Sequence, residues 1–178
     1  LAAEDERENP IVACEISGPM SLEPQTPRYF WYGVHTFEMM MTIMKPGCES
    51  VHVAAGDKLD VITARWKDGR TAVIQGHRSS NSPFGKEPFL AKIQRRSGEQ
   101  HCQCSKPQRP WFECLLEALM DRWTDGQAGR LWRATPIGSV GHNRISRRVD
   151  PTREETLEIM RMLEAAGEAA ATGRTVPI

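Results

Sequence analysis

The chain has 178 residues, 39% of them hydrophobic, with 23 Lys and Arg balanced by 23 Asp and Glu to a formal net charge of zero. That length suffices for one domain with a sizeable core, and the charge balance gives no support to a nucleic-acid or membrane-surface partner. No apolar run is long enough for a retained signal or a spanning segment, so the expected location is cytoplasmic.

Residues 1–9 are polar, with an acidic cluster at Glu4, Asp5, Glu6 and Glu8, and are expected to fray. A single domain is expected over 10–178. Ile11 to Ile16 reads as a strand. Gly18, Pro19, Pro24 and Pro27 then break regular structure across 17–31. From His35 the pattern turns helical: Phe37, Met40, Met41 and Met44 recur on one face. Lys45-Pro46-Gly47 ends that helix, with a cation in the last turn and a breaker pair beyond it. Val51–Ala55 is a short strand.

Leu59–Trp66 and Arg70–His77 read as a hairpin around Asp68-Gly69. An Asp-Gly pair suits a two-residue type I′ turn, which would set Trp66 opposite Thr71, Ala64 opposite Val73 and Ile62 opposite Gln75. Trp66 is read as a sheet-packing aromatic. Phe89–Ile93 is a further strand. Phe112, Leu115, Leu116, Leu119, Met120 and Trp123 make a helix face ended by Asp125-Gly126. Residues 126–150 have the composition of loops, and Arg144, Arg147 and Arg148 there read as a solvated turn. Thr152 and Glu155 form a capping box for a last helix with Leu157, Met160 and Leu163 on its apolar side, ended at Gly173. These elements add up to an α+β fold, a mostly antiparallel sheet with helices packed on one face.

The five cysteines, Cys14, Cys48, Cys102, Cys104 and Cys114, are odd in number and irregular in spacing, a poor disulfide framework. His101, Cys102, Cys104 and Cys114 contain soft ligands, but Cys-x-Cys without a second knuckle is not a zinc pattern. Free thiols and no metal are expected.

The densest chemistry lies in Tyr32-Gly33-Val34-His35-Thr36-Phe37-Glu38-Met39. His35 and Glu38 are three apart on a helix, which brings an imidazole and a carboxylate to one side. An imidazole exchanges protons near neutral pH, and a carboxylate can orient it. The plainer reading is a helix-start histidine bonded to its own backbone.

This segment resembles the second domain of the glucose–fructose oxidoreductase, inositol dehydrogenase and MocA (Gfo/Idh/MocA) family. Gly47-Cys48-Glu49-Ser50-Val51, Asp60-Val61 and Trp66-Lys67-Asp68-Gly69-Arg70 continue the resemblance through residue 78. It returns in Pro151–Ile159 and the alanine-rich run to 166, while 94–150 match poorly. The resemblance implies an oxidoreductase that uses NAD or NADP on a sugar or polyol. It implies that His35 is the substrate-contacting, proton-handling residue, with Glu38 where many members carry aspartate. Trp31 stands where many members carry an acid, and it is expected to shape the pocket; Tyr32 and Arg28 would contact hydroxyls. Many members pair through the open face of the sheet, which implies a homo-oligomer.

The family's N-terminal Rossmann domain is expected to be absent. No Gly-x-Gly-x-x-Gly follows a strand, and no Glu-Lys-Pro segment precedes His35. The chain therefore reads as the substrate-side domain, with no cofactor bound by this chain alone and no turnover in isolation. A noncatalytic association module and a degenerate fragment are the alternatives. Calorimetric titration of NADH or NADPH is expected to show no saturable binding below about 10 μM, roughly −7 kcal/mol; tighter binding would overturn the substrate-side reading.

Overall fold

The structure is a computed structural model that describes residues 9–78, 89–104 and 153–178. These residues form β1 (Ile11–Pro19), α1 (Gly33–Met44), β2 (Cys48–Ala55), β3 (Leu59–Trp66), β4 (Thr71–His77), β5 (Phe89–Arg95), β6 (Gly98–Cys104), α2 (Arg153–Thr172) and the short β7 (Val176–Pro177). The strands make one sheet in the order β6-β5-β1-β4-β3-β2-β7. Every pairing is antiparallel except the central β1–β4 pair. The expected α+β class and the mostly antiparallel sheet are both present.

Strand alternation decides which face is covered. Cys14 and Ile16 on β1 pair with Ala72 and Ile74 on β4, which in turn pair with Ala64 and Ile62 on β3. All six are buried, as are Val51 and Val53 on β2 and Ala91 and Ile93 on β5. Against this face lie α1, over β1 and β4, and α2, over β2. Packed against the sheet and beside α2, α1 buries Phe37, Met40, Met41 and Met44 as the spacing predicts. Met39 and Ile43 are buried as well. Burying each such side chain is worth about 1.5–3 kcal/mol, so this short helix is held by packing rather than by propensity.

The C-terminal end of α1 is fixed by neighbours far away in sequence. Lys45 lies just past the last turn, in the left-handed region at φ 62°. The cation that serves the helix end is instead Arg70, which donates to the Met44 carbonyl at 2.6 Å. The indole of Trp66, 1% exposed, donates to the Lys45 carbonyl at 2.8 Å. Glu158 of α2 accepts from the Gly47 and Cys48 amides at 2.7 and 2.8 Å. Hairpin, helix end and α2 are thus joined by charge-assisted and capping bonds.

Two readings are corrected. The β3–β4 register is Arg65 opposite Thr71, Ala64 opposite Ala72 and Ile62 opposite Ile74, one residue away from the type I′ register. Gly69 donates to the Trp66 carbonyl at 3.0 Å and Trp66 to the Arg70 carbonyl at 2.9 Å. Gly69 has φ 89°, whereas Asp68 is not among the residues with positive φ. A type I′ turn needs both, so the loop has three residues with Gly69 in the left-handed bulge position. On α2, Leu163 is buried, but Leu157 and Met160 are exposed. The covered stripe is Ile159, Met162, Leu163, Ala166 and Ala169, whose i, i+3, i+4, i+7 spacing is the more regular helical face. Gly173 ends the helix at φ 67°, donating to the Ala169 carbonyl at 2.8 Å.

β1, β2 and β5 arise over the expected strands, but β1 runs on through Gly18-Pro19, which were expected to break it, and the sequence pattern did not mark β6 or β7. The frayed tail, the 112–123 helix face, Thr152, Cys114 and the Arg144, Arg147 and Arg148 turn lie outside the described residues. Among the described residues no helix is long and apolar enough to cross a membrane.

Gly69→Val is expected to lower unfolding stability by about 1–2 kcal/mol, the cost of holding a side chain at a left-handed angle. Nothing lies within 4 Å of its Cβ position, so the loss isolates backbone strain; an unchanged urea midpoint would refute the bulge assignment.

Candidate functional site

Six chain segments converge at one end of the sheet: the ends of β1, β2 and β4, the starts of β3 and β5, and the loop of residues 20–32 that leads into α1. The backbone of that loop is folded back tightly. Met20 continues the β1–β4 pairing by donating to the His77 carbonyl at 2.7 Å. Pro27 and Phe30 close a turn at 3.0 Å, with Tyr29 at φ 74°. A left-handed angle is costly for an aromatic residue. Tyr29 offsets it by burying its ring to 1% exposure and donating its hydroxyl to Asp60 at 2.9 Å. Gly33 permits the fold: a Cβ there would sit 3.0 Å from that of Tyr29 and 3.5 Å from Met20.

The loop delivers His35 to the first turn of α1. Its Nδ1 lies 3.3 Å from Glu38 Oε2. The imidazole meets the Tyr32 ring edge-on at 5.5 Å between centroids and the Phe89 ring at 6.3 Å. Both members of the pair keep about a third of their side-chain surface exposed, 37% and 36%. Burial pushes the Tyr32 phenol above its usual range. The arrangement is a half-open imidazole with a carboxylate on one nitrogen and aromatic walls, suited to exchanging a proton with a bound hydroxyl or carbonyl.

Of the five expected site residues, His35, Glu38 and Tyr32 come together here. Trp31 is 48% exposed, next in sequence to Tyr32. Arg28 has another partner: its Nη2 donates to Asp60 at 3.0 Å, and its guanidinium stands 5.2 Å from the Tyr29 ring centroid.

Asp60 is the residue that sequence reasoning passed over. It is fully buried at the start of β3. It accepts from Arg78 at 2.6 and 2.7 Å, from Arg28, from the Tyr29 hydroxyl and from the Gly56 amide at 3.0 Å. Burial alone would raise its pKa, but the bonds from Arg78, Tyr29, Gly56 and Arg28 outweigh it and hold the carboxyl below its ordinary range. The sequence signal was an acid at an inward strand position, with Ile62 and Ala64 sharing its alternation.

The start of α1 is not a pyrophosphate cradle. The β1–α1 connection is not a tight glycine turn, and Tyr29 and Met20 pack over the Gly33 helix start where a pyrophosphate would have to approach. Cys14 and Cys48 are free and buried, and burial pushes both thiols up to about 12, far from nucleophilic. Among the described residues no group of three or more His, Cys, Asp or Glu could hold a metal.

No family model and no curated protein matches the chain. Solved structures do. The WlbA dehydrogenase from Bordetella pertussis, in complex with NADH and UDP-GlcNAcA, matches 99% of this chain over 59% of its own, at 14% identity and a TM-score of 0.59. A myo-inositol dehydrogenase from Corynebacterium glutamicum matches over the same shares at 13% identity and 0.58. The Lactobacillus casei myo-inositol dehydrogenase, in complex with NAD(H) and myo-inositol, matches 94% of this chain over 54% of its own, at 12% identity and 0.56. The chain thus spans little more than half the length of these dehydrogenases.

Asp60→Asn is expected to cost about 3 kcal/mol at neutral pH, since it leaves two guanidinium groups without their shared anion. A lowered folded-state pKa gives stability that is present above the unfolded carboxylate value and lost as pH falls through the folded one. Wild-type stability should therefore decline in acid below the ordinary carboxylate range, and D60N should flatten that decline. Denaturant titrations at pH 7 and pH 3 check both, and parallel acid profiles would refute the assignment.

Proposed function

We propose that the chain, which shares its fold with part of the solved dehydrogenases and whose motifs resemble the Gfo/Idh/MocA family, is the substrate-side domain of an NAD- or NADP-dependent oxidoreductase acting on a sugar or polyol. The observation that carries the proposal is the His35–Glu38 pair at 3.3 Å on the first turns of α1, opening between Tyr32 and Phe89. Two of the similar dehydrogenases were solved with a nicotinamide cofactor and a sugar-like compound, myo-inositol or UDP-GlcNAcA. The nicotinamide, which supplies the redox chemistry when bound, belongs in this reading to a dinucleotide-binding domain other than 10–178.

The part played by this chain is proton handling and substrate placement. With Nδ1 engaged by Glu38, the ring exchanges a proton with the reacting oxygen through Nε2. Glu38 holds the ring in one tautomer and orientation. Tyr32 and Phe89 exclude water from one side of the ring. Trp31 offers an exposed aromatic face to the apolar side of a sugar. The second face of the sheet, carrying Glu15, Thr63, Arg65, Gln75 and Lys92, is not covered by either described helix, and it would serve a homo-oligomer.

The test joins this domain to a dinucleotide-binding domain from the parent gene and measures turnover on sugars and inositols. His35→Ala is expected to lower turnover by about 10²–10⁴-fold with cofactor affinity nearly unchanged. Glu38→Gln should reproduce a large part of that loss. A fall of less than about threefold for H35A would make His35 a structural helix-start residue and favour a noncatalytic association domain.

A further inference from the structure

Among the described residues, three buried side-chain polar atoms have no hydrogen-bond partner: Ser21 Oγ, Arg28 Nε and Arg78 Nε. All three lie at the end of the sheet that carries His35. Ser21 follows Met20, whose amide is bonded to the His77 carbonyl, so Ser21 and Arg78 are the next residues on two paired backbones. Arg28 and Arg78 meet on the same carboxylate.

Among the described residues the charges there do not balance. Two guanidinium groups share Asp60, the only carboxylate paired with either among the described residues. Each reaches it through Nη2 alone. A guanidinium offers five donors in a planar fork and favours bidentate binding of oxyanions. Most of these donors are unspent, and one on each arginine is dry. Neither head is sealed, with side-chain exposures of 33% for Arg28 and 23% for Arg78. Buried polar groups are normally satisfied, and clustered exceptions mark places where a further group belongs.

We propose that Arg28 and Arg78 form an oxyanion subsite, so that the ligand of this domain is a polyhydroxylated molecule carrying a phosphate or carboxylate. The anionic group would sit on the outer edges of the two forks, with the Ser21 hydroxyl as a further donor. Asp60 is the counter-charge that the two arginines share. It also keeps the pair at one net positive charge, matched to a single oxyanion. The polyhydroxylated part of the ligand rests on the sugar reading above; the oxyanion part does not.

The experiment uses the 178-residue chain and needs neither turnover nor a nicotinamide. Glucose 6-phosphate, glucuronate, inorganic phosphate and glucose are titrated separately by calorimetry. Saturable binding of at least one anionic sugar, tenfold or more tighter than glucose, is expected, and it should weaken as salt is raised. Arg28→Gln should weaken it about tenfold or more, the loss of one charged contact. R28Q leaves Asp60 bonded to Arg78 Nη2 through both oxygens, to the Tyr29 hydroxyl and to the Gly56 amide, so it is expected to retain the fold; circular dichroism checks this. Arg78→Lys, which keeps the charge but not the fork, should weaken binding as well. Inorganic phosphate that binds and is lost in R28Q would retain the oxyanion subsite even if the sugar reading fails. No saturable binding of any anion, or anion binding indifferent to both substitutions, would overturn the proposal.

Discussion

The buried carboxylate of Asp60 is the constraint on which the working end of the molecule depends. A charged group removed from water is tolerable only when its lone pairs are filled. Here two arginines, a tyrosine hydroxyl and a backbone amide fill them. The donors come from the 20–32 loop, the β2–β3 turn and the end of β4. One side chain therefore ties three loops to the start of a strand. Each donor lost leaves the ion one partner shorter, so these loops are coupled through it.

That tie explains how an irregular loop can deliver a helix in a defined orientation. Tyr29 bears a left-handed backbone angle, and its buried ring and hydroxyl bond hold it there. Gly33 then lets the start of α1 close against it. The two ends of α1 are held by different physics. Its C-terminal end is capped by Arg70, Trp66 and, through the following loop, Glu158. Its N-terminal end has no side-chain cap and rests on packing of Tyr29 and Met20. A helix start without its own cap, placed beside a half-open imidazole–carboxylate pair, suits a site that must meet a ligand.

Identity of 12–14% to the solved dehydrogenases leaves the fold as what is shared. The fold accounts for the sheet, for the position of α1 and for the end at which loops gather. What such a site does is set by its side chains, and here those include Trp31 beside Tyr32 and an Asp60 cluster with more positive than negative charge. Function in this chain therefore has to be argued from His35, Glu38 and the arginines rather than from the architecture.

Periodicity and local chemistry were enough for much of the rest. The apolar spacing of Phe37, Met40, Met41 and Met44 marked the face that α1 buries, and Gly173 marked where α2 stops, because both depend on residues a few positions apart. The i, i+3 spacing of His35 and Glu38 placed them together for the same reason. The hairpin at Asp68-Gly69 was legible as a hairpin but not in its register. Whether Asp68 takes a positive angle is settled by how Trp66 packs and bonds to Lys45, a partner 21 positions away. Likewise Leu157 and Met160 are as apolar as Ile159 and Met162, and only the angle at which α2 lies on β2 chose between the stripes. Asp60 was illegible as a hub because its partners Arg28, Tyr29 and Arg78 are 18 to 32 residues distant. Nothing in a local pattern reports a contact that exists only once the loop has closed over the strand. Sequence determined most of the elements and the inward faces of α1 and the longer strands, since those follow from backbone geometry and burial. Tertiary structure decided register, the buried charge cluster and the fate of Arg28, since those follow from which distant groups compete for the same partner.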